Sequence, residues 1–335
     1  MDKGSTLMNR LDQYKNTATS EMFFGDSNPF QVKLNYGDLT LSIVKHSGSY
    51  GGKNGLYEIG VWNKDGQMIE VDGITEEGDT IKGFLDKDLL DSNIEIFVSQ
   101  STGSTNEDAK NFLSEQSALL SIHATEQQIS GKGRNGKKWI SPKGKNIYLS
   151  IGWLSELKYS QLDGLSLAIG TILASSLNKF TQNQVGIKWP NDLLIEKKKI
   201  SGILIETIDL NNQVGVVIGI GINIHMSDEE GKEIDQLWIS LDEVTNSIND
   251  RNEIIGDIVN KIFQLTSLFT KEGFKPYKAD YESFDMLAGK KCSVNIGGID
   301  KTVDVLGVND KGEMLVRAGS ENLTLRYGEV SIREL

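Results

Sequence analysis

The stretch from Gly131 to Trp139 reads Gly-Lys-Gly-Arg-Asn-Gly-Lys-Lys-Trp, a glycine-spaced, positively charged loop that ends in an aromatic residue. Six basic side chains fall between positions 132 and 145 of a protein whose net charge is -12. Glycines allow positive φ angles and a close approach of the backbone, so amides can face phosphate oxygens while the cations neutralise them. Taken alone, the stretch fits a solvated surface turn equally well. Together with the segments described below, it favours a site that binds a small anion.

Four further segments carry residues that could take part in such a site. Ser104-Thr105-Asn106 would place two hydroxyls and an amide at a helix N-terminus, although plain helix capping explains them as well. Gln128 could bond a substrate amide or could simply end a strand. Lys188–Asp192 holds a cation beside a proline-fixed turn, which could also be a surface turn. Two glycines weaken the apolar strand at Gly219–Asn223 unless a flat ring, or another packed strand, approaches its backbone closely.

Composition narrows the class of protein. The chain has 335 residues, 38% hydrophobic and 24% charged, which is typical of an ordinary globular protein of two or three domains. No apolar run reaches the roughly 18 residues of a membrane span, and the first residues lack an apolar signal core. Cys292 is the single cysteine, and the three histidines show no metal-ligand spacing. A pI of about 4.9 argues against broad nucleic-acid binding. We therefore expect a cytoplasmic protein with neither a membrane nor a DNA partner.

The chain divides into three predicted domains, at residues 1–90, 91–285 and 286–335. The first is a β-rich module of unknown role that follows a polar stretch at 1–20, with strand patterns at 31–44, 56–62, 68–71 and 80–84. It carries nine basic and fourteen acidic residues. The second has an α+β pattern, for which we predict a mixed sheet with helices on one face. The third has short strands separated by turns, which predicts a small β-barrel.

In their order along the chain, these motifs resemble the catalytic core of biotin–protein ligases, also called biotin–[acetyl-CoA-carboxylase] ligases or holocarboxylase synthetases. Members of this family share a Ser-Thr-Asn start, a Gln before a Gly-Arg-rich loop, a Lys-Trp-Pro-Asn-Asp turn and glycine-containing strands. The counterparts here are Ser104-Thr105-Asn106, Gln128, Gly131–Trp139, Lys188–Asp192, Lys199–Leu204, Gly219–Asn223, Trp238–Leu241 and Lys290–Leu335. The likeness covers roughly residue 90 to the end, and this many motifs in one order are highly specific.

The resemblance implies a class II synthetase-like core followed by an SH3-like barrel, and a two-step reaction. Biotin and ATP give biotinyl-5'-AMP and pyrophosphate, with Mg²⁺ accompanying ATP and no metal site in the protein. The biotin carboxyl carrier protein of acetyl-CoA carboxylase then accepts biotin on a lysine. The implied catalytic residues are Lys188 and Arg134. The implied biotin-binding residues are Ser104, Thr105, Asn106, Gln128, Lys132, Gly133, Arg134, Lys188 and Gly202. The implied nucleotide-binding residues are Lys132, Arg134, Asn191, Asn223 and Trp238.

The sequence departs from the family pattern at four places, none of which removes a group that the chemistry needs. Lys132 replaces the usual first arginine of the loop, which keeps the charge but loses the bidentate fork. Asn135 replaces a variable, often basic residue, and Ile129 stands where Thr or Gln is common. Ser201 replaces the first glycine of a Gly-Gly pair and could crowd the pocket.

Three other functions compete with this one. A lipoate–protein ligase would share the fold and the activation chemistry but would lack the long cationic loop. A DNA-binding biotin sensor would need a winged helix-turn-helix with a basic face, and residues 1–90 show β-like alternation and net negative charge instead. A catalytically dead binding module is the third, since fold does not imply function. The resemblance also implies a homodimer formed through sheet edges, which the sequence does not fix.

Overall fold

The computed structural model describes residues 30–36, 39–45, 57–63, 65, 67–68, 81–85, 94–115, 120–210, 213–296, 299–326 and 331–334. Contacts divide the chain into two compact units, Met1–Glu95 and Ile96–Leu335. The domain boundaries expected at residues 90 and 285 stay predictions. The expectations for residues 1–20 and for most of 68–71 lie outside the described residues. No helix in the described part of the chain is long and apolar enough to cross a membrane.

The first unit contains a four-stranded sheet in the order β1-β2-β3-β4. Its strands are β1 (Phe30–Tyr36), β2 (Leu39–Lys45), β3 (Tyr57–Asn63) and β4 (Ile81–Leu85). Each neighbouring pair is antiparallel. The alternating stretch at 31–44, treated as one strand pattern from the sequence, is a hairpin in which Tyr36 pairs with Leu39.

The second unit is built on a seven-stranded sheet in the order β5-β6-β7-β11-β10-β9-β8. Its strands are β5 (Ile94–Ser99), β6 (Leu120–Thr125), β7 (Ile147–Ser155), β8 (Gly186–Lys188), β9 (Asp192–Ile195), β10 (Lys198–Leu210) and β11 (Gln213–Ile222). The pairings from β6 to β8 are antiparallel. Just beyond β5 and β6, Thr102 and Gln128 form a parallel bridge. The sheet is therefore mixed, as expected.

Within the described part of the chain, five α-helices accompany these strands. They are α1 (Thr105–Glu115), α2 (Leu165–Leu177), α3 (Leu241–Thr245), α4 (Arg251–Glu272) and α5 (Lys278–Phe284). Glu196 and Lys197 both have positive φ angles, which makes the tight turn between β9 and β10. Asp250 caps α4 by accepting from the amide of Asn252.

The helices do not lie on one face of the sheet, and this part of our expectation was wrong. A Cβ on Gly152 of β7 would meet Leu113 of α1, whereas Gly170 of α2 faces Ile203 of β10. In the sheet register Gly152 and Ile203 project from opposite faces, because successive side chains alternate. The physical reason is visible in β11, where nearly every residue is buried and both faces need cover.

The chain ends in a five-stranded antiparallel sheet in the order β15-β14-β13-β12-β16. Its strands are β12 (Lys291–Ile296), β13 (Ile299–Val308), β14 (Met314–Ala318), β15 (Glu321–Leu325) and β16 (Ser331–Glu334). Alternate residues such as Val303 and Val305 are buried, which gives this sheet an apolar side. The sequence predicted a small β-barrel here; the structure shows a small antiparallel sheet, and its closure into a barrel stays a prediction.

Candidate functional site

A cavity of about 660 Å³ opens between the cationic loop, the start of α1, the turn after β8 and the glycine-bearing strands β10 and β11. All the residues that the sequence predicted for the site line it. They are Ser104, Thr105, Asn106, Gln128, Lys132, Gly133, Arg134, Lys188, Asn191, Gly202, Asn223 and Trp238. Segments up to 134 positions apart in sequence are thus brought together in one space. Their individual roles stay predictions.

The start of α1 forms a buried polar network with Gln128. The amide and hydroxyl of Thr105 donate to Gln128 Oε1 at 3.0 and 3.2 Å. Gln128 Nε2 donates to Ser141 Oγ at 3.2 Å, so its amide orientation is fixed. Ser150 Oγ of β7 donates to Thr105 Oγ1 at 2.7 Å. The hydroxyl of Ser104 is buried against the cavity and has no hydrogen-bond partner among the described residues, so it can serve a ligand.

A chain of charged residues links this network to the cationic loop. Asn106 Nδ2 donates to Glu206 at 2.8 Å, and Lys110 bridges Glu206 and Glu107 at 2.5 and 3.0 Å. Lys132 of the loop binds the same Glu107 oxygen at 2.6 Å. Bonds from Lys132 and then Lys110 lower the pKa of Glu107. The sequence did not predict that Glu107, Lys110 and Glu206 would bind the loop and the start of α1, although it places Glu107 in the first turn of the predicted helix.

The cationic loop is itself a small hairpin. Gly133 N donates to Lys137 O at 2.7 Å, and Trp139 N donates to Gly131 O at 2.9 Å. Asn135, at the tip, has a φ of 55°, a region that asparagine adopts more readily than most residues. This explains the departure from the family pattern at that position. Arg134 and Asn191 both line the cavity, and Arg134 Nη1 donates to Asn191 Oδ1 at 2.8 Å.

The turn after β8 presents Lys188 toward the cavity. Two hydrogen bonds hold this turn in place. Asn191 Nδ2 donates to Ile203 O at 2.9 Å, and Pro190 O accepts from Ser166 Oγ at 3.0 Å. Lys188 is half-buried and has no ion pair or hydrogen bond among the described side chains. By contrast, Asp192 is paired with Lys199 at 2.8 Å. Lys188 is therefore a cation available to an anionic ligand.

The glycines of β10 and β11 admit an indole. A Cβ on Gly221 would lie 2.6 Å from Trp139 Cζ2, and one on Gly202 would lie 3.1 Å from Trp139 Cζ3. Lys199 Nζ lies 5.4 Å from the centroid of the same ring. A Cβ on Gly219 would come within 2.9 Å of Asn106 Cγ. The flat ring expected against this strand is thus a side chain of the protein, which the sequence analysis noticed at the end of the loop but gave no role.

The cavity's far side carries Asn223 and Trp238. Asn223 Nδ2 lies 3.4 Å from Lys199 O and 3.3 Å from Ile239 O, which ties β11 to the segment that bears Trp238. Trp238 packs on Gly231, where any Cβ would overlap the indole. Ser201 does not line the cavity, because its hydroxyl points to Gly221 O at 2.8 Å and the residue is fully buried. Ser201 therefore does not crowd the cavity, although the sequence suggested that it could.

Comparisons with known proteins agree with this geometry. The model of the family described as "Biotin/lipoate A/B protein ligase family" matches residues 98–223. Bifunctional ligase/repressor BirA of Escherichia coli is 35% identical over 211 residues, which are 62% of this chain and 65% of that protein. Biotin--[acetyl-CoA-carboxylase] ligase of Mycobacterium tuberculosis is 27% identical over 245 residues, 70% of this chain and 88% of that protein.

A solved structure is similar as well. Biotin protein ligase from Aquifex aeolicus in complex with biotin and ATP matches with a TM-score of 0.61 and 26% identity, over 72% of this chain and 99% of that chain. This chain spans 65% of the length of the Escherichia coli relative, slightly less than two thirds. Residues 98–223, the part matched by the family model, include the loop, the turn after β8 and the glycine strands.

Proposed function

We propose, on the premise that residues 98–223 belong to the biotin/lipoate A/B protein ligase family, that this protein is an ATP-dependent biotin–protein ligase. This match and the relatives reported above support the resemblance to biotin–protein ligases that the motifs carry. The observation that carries the proposal is the cavity, in which a polar network, a cationic loop and the free ammonium of Lys188 face one space. Such a space suits a ligand with a polar head, an apolar body and an acid that must meet a phosphate.

In the proposed first step, a biotin carboxylate oxygen bonds to the α-phosphorus of ATP. The bond from that phosphorus to the bridging oxygen breaks, and pyrophosphate leaves. Negative charge builds around the α-phosphate, so cations placed there before the reaction lower the barrier most. Lys188, Lys132 and Arg134 would do this work. Ser104, Thr105 and Gln128 would bond the ureido ring of biotin.

In the proposed second step, the amine of an acceptor lysine bonds to the acyl carbon of biotinyl-5'-AMP. The bond to the phosphate oxygen breaks, AMP leaves, and the nitrogen loses a proton to solvent or to the departing phosphate. The acyl-adenylate reacts with any amine, so it must be shielded until the acceptor arrives. The hydrogen bond from Arg134 to Asn191 supports this shielding role for the loop, because it ties the loop to the turn after β8. Asn223 and Trp238 would face the adenine.

The described residues contain no group of three or more His, Cys, Asp and Glu side chains that could hold a metal ion. This fits Mg²⁺ arriving with the phosphates of ATP, since Mg²⁺ keeps several waters and needs few protein ligands. The protein's own residues then bind the oxygens that the ion leaves free.

Lipoate is the second candidate substrate, because the matching family includes lipoate ligases. We favour biotin, since the Ser104 hydroxyl, which has no hydrogen-bond partner among the described residues, could bond a ureido ring but would meet no polar group on the ring of a lipoyl chain. The acceptor that we propose is the carrier domain of acetyl-CoA carboxylase, the substrate named for the Mycobacterium tuberculosis relative.

We further infer that the C-terminal sheet closes as an SH3-like barrel. The name of the Escherichia coli relative includes the word repressor, but we do not propose a DNA-binding repressor, because residues 1–90 carry more acidic than basic side chains. Binding to an operator duplex at physiological salt would contradict this. A homodimer and a cytoplasmic location stay predictions.

The test is pyrophosphate release from ATP and Mg²⁺ with biotin or lipoate as the acid. We expect release with biotin, and a loss of about 100-fold or more in Lys188→Met, the size found when one charge-stabilising group is removed. Lys158→Met, a change of an exposed lysine outside the cavity, should match wild type. Faster release with lipoate, or an unaffected Lys188→Met, would contradict the proposal.

A further inference from the structure

The Lys188 ammonium has no partner among the side chains that the structure describes, so its position depends on the backbone on either side of it. It is the last residue of β8, a strand of three residues at the edge of the seven-stranded sheet. Its neighbour β9 supplies one ladder of hydrogen bonds. The placement of the ammonium therefore depends on two things. One is the segment on the other edge of β8, and the other is the set of contacts that hold Trp189.

The residue before Lys188 is held by the segment that leads into the C-terminal sheet. Ile187 forms a parallel bridge with Asp285, and Ile187 O accepts from Met286 N at 3.0 Å. The segment is itself a fixed turn, because Asp285 Oδ1 accepts from Leu287 N at 2.8 Å. It also packs closely on the strand, since a Cβ on Gly186 would lie 2.7 Å from Met286 Sδ.

The residue after Lys188 is held by the C-terminal sheet itself. Trp189 is 2% exposed, and its Nε1 donates to Gly312 O at 3.1 Å. Gly312 ends the turn between β13 and β14, where Asn309 Oδ1 accepts from Lys311 N at 2.9 Å. A Cβ on Gly312 would lie 2.8 Å from Gly164 Cα at the start of α2, so the turn is pressed against the catalytic unit's helix.

We propose that the C-terminal sheet positions Lys188 for the reaction, with Trp189 and the Asn309–Gly312 turn as the positioning elements. The two contacts bracket Lys188 on both sides, and both come from residues C-terminal to position 284. Ile332 of β16 also lines the cavity, which places this sheet at the site as well as behind it. The proposal rests on the proposed function in giving Lys188 a catalytic role. It adds that contacts made by the C-terminal sheet, outside the cavity, help to determine the rate of the reaction.

The test variant is Trp189→Phe, which keeps an aromatic ring but removes the donor to Gly312. Because a buried acceptor then loses its partner, we expect kcat for pyrophosphate release to fall roughly tenfold, while KM for biotin changes less than about twofold. Trp153→Phe is the matched control. Trp153 is also buried, in β7, and its indole makes no hydrogen bond to the described residues, so both constants should stay at wild-type values.

A second measurement needs no enzymatic activity. Amide hydrogen exchange of the full chain should be faster at residues 186–192 in Trp189→Phe, and acetic anhydride should modify Lys188 at a changed rate by mass spectrometry. Asn309→Ala, which loosens the turn from outside the cavity, should act in the same direction, and Asn322→Ala on β15 of the same sheet should not.

The outcomes separate the two proposals. If wild type releases no pyrophosphate with biotin, the proposed function fails, while exchange at 186–192 still tests the positioning. Unchanged exchange and unchanged Lys188 reactivity in both Trp189→Phe and Asn309→Ala would overturn the inference, whatever the activity. Should Trp189→Phe fail to fold, Asn309→Ala with its control decides the matter alone.

Discussion

Replacing Arg134 by glycine should let the acyl-adenylate escape. Arg134 joins the cationic loop to the turn after Lys188 through a charge-assisted hydrogen bond of 2.8 Å to Asn191 Oδ1. Asn191 is 7% exposed and is anchored to β10 through Ile203 O, so it offers the loop a fixed point. Removing the guanidinium leaves the loop without this contact and leaves a buried acceptor unpaired.

The size of the effect follows from the bond. A hydrogen bond to a charged group contributes about 1.5–3 kcal/mol. Each 1.4 kcal/mol is a factor of ten, so the closed state of the loop should weaken by about 10- to 150-fold. Asn191→Ala should weaken it comparably, and the double variant should leak no more than the stronger single variant, because both changes break the same contact.

The assay is mass spectrometry of biotinylated lysines on an inert bystander protein, incubated with the variant, biotin, ATP and Mg²⁺. Lys143→Gly is the matched control, because it removes an exposed cation from the same stretch outside the loop. We expect bystander labelling to rise for Arg134→Gly and to stay at the wild-type level for Lys143→Gly. Equal labelling by Arg134→Gly and wild type would refute the role given to the loop.

Three further predictions follow from the structure. Gly221→Ala should lower the free energy of unfolding in urea by about 1–3 kcal/mol, because the new Cβ overlaps Trp139; a value unchanged from wild type would show that the indole can move aside. Lys132→Arg should lower KM for ATP severalfold, since guanidinium binds phosphate bidentately, and a higher KM would instead mean that the ion pair with Glu107 matters more. Burial lowers the pKa of His123 to about 4 from 6.5, so the unfolded chain takes up the proton first. The contribution of His123 to the free energy of unfolding should be complete above pH 6.5. It should fall as the pH drops toward 4, by at most on the order of 3 kcal/mol. His123→Leu should flatten this part of the pH profile of unfolding, and an unchanged profile would count against the assignment.

The sequence predicted the site better than the packing around it. The motifs contain the groups that face the cavity, and the resemblance that their order carries was enough to place Gln128, Arg134 and Lys188 in one site. The ring that lies on Gly221 could not be predicted, because it depends on how the loop folds over the sheet and on the register of β10 with β11.

Two other features depend on tertiary structure alone. The ion pair of Lys132 with Glu107 joins residues 25 positions apart, and nothing in either motif requires it. The placement of α1 on one sheet face and α2 on the other depends on which face each strand turns to each helix. Periodicity shows that a helix has an apolar side, but it does not show where that side packs.

The central claim is tested most directly by mass spectrometry of an intact biotin carrier domain incubated with this protein, ATP, Mg²⁺ and biotin. We predict a gain of one biotinyl group on a single lysine, its absence when ATP is omitted, and its near loss with Lys188→Met. A carrier that stays unmodified with biotin, or that is modified equally well with lipoate, would contradict the account.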